Sequence, residues 1–263
     1  MVWGKSEFMK KLIVANWKCN PATQTEAERL FDSIKKGLKD IKKTKGVRDI
    51  EIVICPPYPY LYTGNLKIEA RNLKLGAQNC FWKEKGAYTG EVSPKMLKSL
   101  GVTYVIVGHS ERRKYFKEIN QMINQKLLAA LESGLKPILC IGEKEEEDIS
   151  LVIKNQLIKG LKGINRAKIR DLIIAYEPVW AIGTGNPCQI DDALKANLFI
   201  RQTLTKLYNR KLAEETRILY GGSVNSKRAQ NYILEAGMNG LLIGGASWDA
   251  EEFVNIVKQI VEL

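Results

Sequence analysis

The strongest constraint on the fold of this chain is a regular alternation of short apolar runs with longer amphipathic stretches. Eight runs rich in aliphatic and β-branched residues recur along the 263 residues, at 12–15, 50–55, 73–77, 103–107, 137–141, 172–176, 217–220 and 240–243. Most of them are apolar at successive positions, which is typical of parallel strands that are covered on both faces. The runs therefore predict buried, parallel strands.

The stretches between these runs have the periodicity of amphipathic helices. Leu30, Ile34 and Leu38 fall on one stripe of residues 26–43, and residues 192–212 carry a comparable apolar face. Repeated β-then-α units in a chain of about 250 residues predict an α/β protein with the (β/α)8 barrel fold, in which eight parallel strands are ringed by helices. A doubly wound open sheet is the alternative.

The same pattern sets the expected domain organisation. No stretch rich in proline, glycine and serine divides the chain, so we expect a single barrel domain over residues 1–263. The segment MKKLIVANWK, which begins at Met9, reads like the start of a chain. Residues 1–8 are therefore a possible N-terminal extension.

Composition and charge exclude several classes of protein. The net charge is +12, but the basic residues are spread along the chain, so nucleic acid is not an expected partner. No apolar run approaches the roughly 18 residues of a membrane span, and no signal segment precedes the first run, which predicts a cytoplasmic protein without a membrane partner. The five cysteines are widely spaced and form no CxxC pair, so neither zinc nor a disulfide is expected.

Residues that can carry chemistry cluster after particular runs. In a (β/α)8 barrel, the loops that follow the strands build the active site. The first, fourth, sixth, seventh and eighth runs are followed by NWK, GHSERR, EPVWAIGTG, GGS and GGAS. Polar, charged and glycine-rich segments are thereby predicted to converge at one end of the barrel.

Two residues in these segments can perform acid–base chemistry. His109 is the only histidine of the chain. It lies between a predicted strand and a predicted helix, and the N-terminus of a helix favours a neutral imidazole. Glu177 ends the sixth strand, and the apolar residues after it, bounded by Gly183 and Gly185, suggest a lid that excludes water. A hydrogen-bonded histidine and a salt-bridged glutamate at the barrel rim are the alternatives.

The remaining segments suit an anionic ligand. Asn16 and Lys18 follow the first strand, and alternation along an extended segment would point both side chains to the same side. The glycine pairs at 221–222 and 244–245 offer backbone N–H groups for a phosphate after the last two strands. A turn asparagine beside a surface lysine, and two tight turns, are the simpler interpretations.

Longer motifs carry a resemblance to a known family. NWK, GAYTGEVSP, VGHSERR, CIGE, AYEPVWAIGTG, YGGSV and LIGGAS occur in this order, and with them residues 11–261 resemble the triosephosphate isomerase family. The resemblance implies a TIM barrel enzyme that interconverts dihydroxyacetone phosphate and D-glyceraldehyde 3-phosphate through an enediol(ate), in glycolysis and gluconeogenesis. Another phosphate-binding barrel isomerase or synthase is the alternative; it would lack the apolar lid.

The resemblance also implies roles for individual residues. Glu177 would be the base, and neutral His109 would polarise the substrate carbonyl and move protons between its oxygens. Lys18 would supply positive charge, and Asn16 would hydrogen-bond the substrate. The residues implied in phosphate binding are Gly183, Ser223, Gly244 and Gly245, and those implied in support are Ser110 and Glu111.

The family pattern carries two further expectations and one departure. It requires neither a metal nor an organic cofactor, and it implies a homodimer. The lid departs from the pattern, because Gly185-Asn186-Pro187-Cys188 stands where the family has Gly-Lys followed by small residues. This difference puts the mechanics of the lid hinge in question and leaves the catalytic positions intact.

Overall fold

The structure is a computed structural model that describes residues 9–41, 50–61, 72–184 and 187–263. The possible extension at residues 1–8 lies outside the described residues. Strands β1 to β8 pair in parallel, each with its neighbours in sequence, and β1 closes on β8. They are Lys11–Asn16, Ile50–Cys55, Leu73–Ala77, Tyr104–Val107, Lys136–Ile141, Ile173–Tyr176, Ile218–Tyr220 and Gly240–Ile243. The predicted (β/α)8 barrel is confirmed, and the open-sheet alternative is wrong.

Helices ring the barrel between the strands. Helices α1 to α10 are Gln24–Ile41, Tyr58–Leu61, Pro94–Ser99, Ser110–Tyr115, Asn120–Glu132, Ile149–Gly160, Ile190–Leu207, Arg210–Glu215, Ala229–Leu234 and Ala250–Val261. The second amphipathic stretch is divided between α7 and α8. Asn209 causes the division, because its Oδ1 accepts from the N–H of Leu212 at 2.8 Å and so caps a new helix.

Two apolar cores explain why the strand sequences do not alternate. Inside the barrel, side chains such as Leu12, Val53 and Ile106 form one cluster. Outside it, neighbouring residues such as Ile13 and Ile52 pack against the helices in a second cluster. Each strand therefore buries both faces, as the apolar runs predicted. No helix in the described part of the chain has both the length and the apolar character that a membrane span requires.

A polar cluster closes the barrel interior at the N-terminal ends of the strands. Tyr104 Oη donates to Glu51 Oε2 at 2.6 Å, and Arg217 Nη1 donates to the same oxygen at 3.1 Å. Arg217 Nη2 also donates to Tyr104 Oη at 3.1 Å. Burial raises the pKa of Glu51, but the hydrogen bonds from Tyr104 and Arg217 outweigh burial and hold the pKa below its ordinary value.

Replacing Glu51 with glutamine is expected to lower the free energy of unfolding near neutral pH by about 1.5–3 kcal/mol, the size of a hydrogen bond to a charged group. A lowered folded-state pKa stabilises the fold above the unfolded-state pKa of about 4.3. That contribution is lost as the pH falls through the folded-state value, so the difference between the two proteins should shrink in acid. Chemical denaturation of both proteins from neutral to acidic pH measures this difference in the free energy of unfolding.

A matched control separates this effect from the general loss of a carboxylate. Glu215 pairs with Arg170 at 2.7 Å, but both side chains are more than a third exposed. Exposed ion pairs contribute little to stability because water and salt screen them. Equal losses of stability in Glu51→Gln and Glu215→Gln would contradict the role assigned to the buried cluster.

Candidate active site

Residues in or after the C-terminal ends of five strands, β1, β4, β6, β7 and β8, line one cavity of about 440 Å³. The lining includes seven residues singled out from the sequence: Asn16, Lys18, His109, Gly183, Ser223, Gly244 and Gly245. The other three, Ser110, Glu111 and Glu177, lie outside the cavity lining. Glu111 contacts Lys18, and Glu177 contacts His109 and Ser110. The structure thus brings together segments that are far apart in sequence.

Lys18 has a left-handed backbone conformation, with φ at 53°. Its N–H donates to Asn16 Oδ1 at 3.0 Å, and its carbonyl oxygen accepts from Gln78 Nε2 at 2.7 Å. The extended segment expected from alternation is therefore wrong, although Asn16 and Lys18 do line the same cavity. Strained backbone of this kind costs about 1–3 kcal/mol and persists where surrounding contacts hold it. The turn brings the Lys18 ammonium to Glu111 Oε1, 2.6 Å away.

Glycine at position 244 leaves the space that the Lys18 side chain occupies. A Cβ atom at Gly244 would lie 2.9 Å from Lys18 Cε. Optimal carbon–carbon contact is about 3.5–4.0 Å, so any larger residue would displace the lysine. Gly244 therefore leaves room for the lysine stem beside the backbone, a role that the sequence did not indicate.

His109 is buried and caps the N-terminus of α4. Its Nδ1 accepts from the backbone N–H of Glu111 at 3.2 Å. A ring nitrogen that accepts a hydrogen bond carries no proton, so this contact assigns the neutral tautomer with the proton on Nε2. The start of the helix therefore fixes both the orientation of the ring and the nitrogen that can donate.

Glu177 is almost fully buried, with 1% of its surface exposed. Its Oε2 accepts from the backbone N–H of Ser110 at 2.9 Å. Its Oε1 lies 3.1 Å from His109 Nε2, but the two groups are not aligned as a hydrogen bond, and Oε1 has no other partner among the described residues. A buried acceptor without a donor is costly. This oxygen is thus the atom of the carboxylate whose capacity to accept a hydrogen bond is unused.

The apolar segment after β6 is fixed by contacts to two other loops. It forms a 3₁₀ helix over Val179–Ala181. Trp180 Nε1 donates to Glu143 Oε1 at 2.9 Å, and Ser223 Oγ donates to the carbonyl oxygen of Ala181 at 2.7 Å. The segment interpreted as a lid is thereby tied to the loops after β5 and β7.

The far end of this segment is described in part. Gly183 is exposed and has φ at 72°, and Pro187 lines the cavity. Gly185 and Asn186, where the departure from the family pattern begins, lie outside the described residues. Cys188 is buried, and its N–H donates to Tyr220 Oη at 3.2 Å. The segment is therefore anchored to β7 where it leaves the cavity.

The thiols differ sharply in exposure. All five cysteines are free, and only Cys19 among them is exposed. Burial raises the pKa of Cys80 and that of Cys188 to about 12. Cys19 is therefore the thiol that is open to reagents. Among the described residues, no group of three or more His, Cys, Asp or Glu side chains is arranged to hold a metal ion.

Glu143, Arg228 and Trp248 lie at or near the cavity and had no role in the sequence interpretation. Glu143 accepts hydrogen bonds from Tyr176 and Trp180, and burial raises its pKa. Arg228 and Trp248 line the cavity. The CIGE motif contains Glu143 but does not reveal its contacts. No spacing signal marks the other two, because both lie several residues beyond a strand end.

Comparison with known proteins gives the family. The family model described as triosephosphate isomerase matches residues 11–260. The chain belongs to the triosephosphate isomerase family. It is 46% identical over 253 residues to the triosephosphate isomerase of Dictyoglomus turgidum, and the match covers 95% of this chain and 99% of the relative. It is 47% identical over 256 residues to the triosephosphate isomerase of Dehalococcoides mccartyi strain CBDB1, covering 95% and 97% of the two chains.

These matches confirm the resemblance carried by the motifs. A triosephosphate isomerase from Caldanaerobacter subterraneus is 45% identical over 253 residues and is covered to 99% of its length. The activity of this member of the triosephosphate isomerase family is that of an aldose–ketose isomerase. The alternative of another phosphate-binding barrel isomerase or synthase has no support from the comparisons.

Proposed function

We propose that the chain, acting as a single barrel domain, interconverts dihydroxyacetone phosphate and D-glyceraldehyde 3-phosphate by proton transfer through an enediolate. The observation that carries the proposal is the buried Glu177 carboxylate, 3.1 Å from the Nε2–H of a neutral His109 at the edge of the cavity. A base beside a neutral hydrogen-bond donor is the arrangement needed to remove a proton next to a carbonyl group.

Glu177 takes the proton from the carbon next to the substrate carbonyl. In the structure, the Glu177 carboxylate lies outside the cavity lining and accepts a hydrogen bond from the Ser110 N–H. The carboxylate therefore turns toward the substrate before it reacts. Its unpartnered Oε1 accepts the proton and returns it to the former carbonyl carbon, which forms the product and restores the carboxylate. The apolar segment after Glu177 then limits the access of water to the charged intermediate.

His109 and Lys18 stabilise the negative charge that develops on the substrate oxygen. The Nε2–H of His109 donates to this oxygen. The neutral ring can give its proton to the former carbonyl oxygen and take one from the neighbouring hydroxyl, so that a proton moves between the two oxygens. The Lys18 ammonium adds positive charge, and Glu111 positions it. Asn16 hydrogen-bonds the substrate and also holds the strained turn at Lys18.

The phosphate group of the substrate binds at the opposite side of the cavity. Four residues that line it would contribute backbone N–H groups: Gly183, Ser223, Gly244 and Gly245. Glycine permits a close approach between the backbone and an anion. The proposed chemistry uses the side chains and backbone of the protein, without a metal or an organic cofactor.

The activity is tested on purified protein treated with a chelator. Coupled assays in both directions should show interconversion of the two triose phosphates, because every proposed group belongs to the chain. A folded protein that does not interconvert them, or does so only after a metal is restored, would overturn the proposal. The Glu177→Gln variant in the same assay reports any contaminating isomerase.

The second part of the proposal is a homodimer in the cytoplasm. Large apolar side chains are exposed in and beside the loop after β3 and around α4, at Tyr88, Met96, Tyr115, Phe116 and Ile119, with exposures between 42% and 65%. Groups of exposed apolar side chains mark protein interfaces. Free thiols favour a reducing compartment. The exposed Cys19 lies one residue beyond Lys18, so we place the interface beside the site.

Sedimentation velocity at micromolar concentration is expected to give the mass of a dimer. A bulky thiol reagent should react at Cys19 and shift the protein toward the monomer, because the modified side chain no longer fits the interface. Cys19→Ser treated with the same reagent is the control, and it should stay dimeric. An active monomer before labelling would contradict this part of the proposal.

A further inference from the structure

Arg228 lines the cavity on the side of the proposed phosphate site. It precedes α9 and is the last residue of the loop that begins with Gly221 and Gly222. The residue is exposed, and it borders the same cavity as Ser223 and Gly245. Arg228 therefore shares one cavity with the backbone groups proposed to hold a phosphate.

The charges around the cavity leave Arg228 as an unneutralised cation. Lys18 pairs with Glu111 at 2.6 Å, and His109 is neutral. Of the described residues that line the cavity, none carries a carboxylate. Likewise, no ion pair within the described part of the chain involves Arg228. A dianionic group entering the cavity would therefore meet an arginine whose charge is available.

The loop that carries Arg228 is fixed before any ligand binds. The N–H and Oγ of Ser226 donate to the carboxylate of Glu252, at 2.7 and 3.1 Å. The carbonyl oxygen of Asn225 accepts from the N–H groups of Arg228 and Ala229. Ala229 is buried. The backbone at Arg228 is thus held in place, so that binding has to order the side chain alone.

We propose that Arg228 is a specificity-determining residue that binds the phosphate dianion of the substrate from the side facing solvent. This inference rests on the proposed function and adds a side-chain cation to its backbone cradle. Guanidinium presents paired N–H donors that match phosphate oxygens, and charge-assisted hydrogen bonds are stronger than neutral ones. The residue also attracts the anion from a distance, an effect that salt weakens.

The test compares Arg228→Gln with Lys227→Gln, which removes the same charge at the neighbouring exposed position outside the cavity lining. For the phosphorylated substrates, KM of Arg228→Gln should rise roughly 3- to 10-fold, the size of a typical net hydrogen bond, because Arg228 is exposed and water screens its charge. Arg228→Lys should recover part of the loss. The salt dependence of kcat/KM should weaken in Arg228→Gln more than in Lys227→Gln.

Two further readouts separate this inference from a structural role. With unphosphorylated glyceraldehyde, Arg228→Gln should lose less of its kcat/KM than with the phosphorylated substrates. Calorimetry with inorganic phosphate should show weaker binding to Arg228→Gln than to Lys227→Gln. Equal effects of the two variants, or equal losses with both kinds of substrate, would overturn the role of Arg228. Phosphate binding needs no turnover, so it tests Arg228 even if the proposed activity fails.

Discussion

Replacing Glu177 with glutamine is expected to lower kcat by about 10²- to 10⁴-fold, the usual contribution of general base catalysis. Glutamine has the size of glutamate but cannot take a proton. Its amide oxygen can still accept from the Ser110 N–H that now holds Oε2 at 2.9 Å. The local structure should therefore survive while the reaction is slowed. Turnover in the coupled assay, beside circular dichroism and thermal denaturation, measures both.

The loss should lie in kcat and not in KM, because the carboxylate is outside the cavity lining and binds no part of the phosphate. Glu215→Gln is the matched control, since it makes the same change at an exposed position outside the cavity lining, before the start of β7. It should leave turnover unchanged. A folded Glu177→Gln protein that keeps more than about a tenth of the wild-type turnover would rule out the base assigned here.

Replacing His109 with glutamine is expected to lower kcat by about 10²- to 10⁴-fold, through loss of the group that moves protons. A glutamine amide can accept from the Glu111 N–H and can donate a hydrogen bond of its own. It cannot release a proton and take it back. The variant therefore separates hydrogen bonding to the substrate oxygen from proton transfer, and turnover measures the difference.

Nitrogen-15 NMR of the wild type tests the state of the ring on which this prediction depends. Because His109 is the only histidine, its two ring nitrogens give unambiguous signals. Nδ1 should have the chemical shift of an unprotonated nitrogen and Nε2 that of an N–H, as the bond from the Glu111 N–H requires. A protonated Nδ1 at neutral pH, or near-normal turnover in His109→Gln, would contradict the proposed role.

Local sequence patterns were enough to predict the barrel and the segments that meet at its C-terminal end. Continuous apolar runs show that a strand is covered on both faces, and helical periodicity shows that a segment packs along one stripe. Both are local consequences of burial, so they can be read without the tertiary structure. His109 and Glu177 were predicted from their places at strand ends, and the family motifs supplied the roles proposed for them.

The contacts among these residues could not be predicted from local patterns and follow from the packing of the whole barrel. The Ser110 N–H donates to Glu177, which is 67 residues away in the sequence, and Lys18 pairs with Glu111, which is 93 residues away. Such contacts depend on the register of a closed barrel, in which every strand end is placed by its two neighbours. The left-handed turn at Lys18 and the approach of Arg228 to the cavity depend on the same packing. Local patterns show which surface of a segment is buried, whereas the residues that each side chain contacts are determined by the packing of the whole fold.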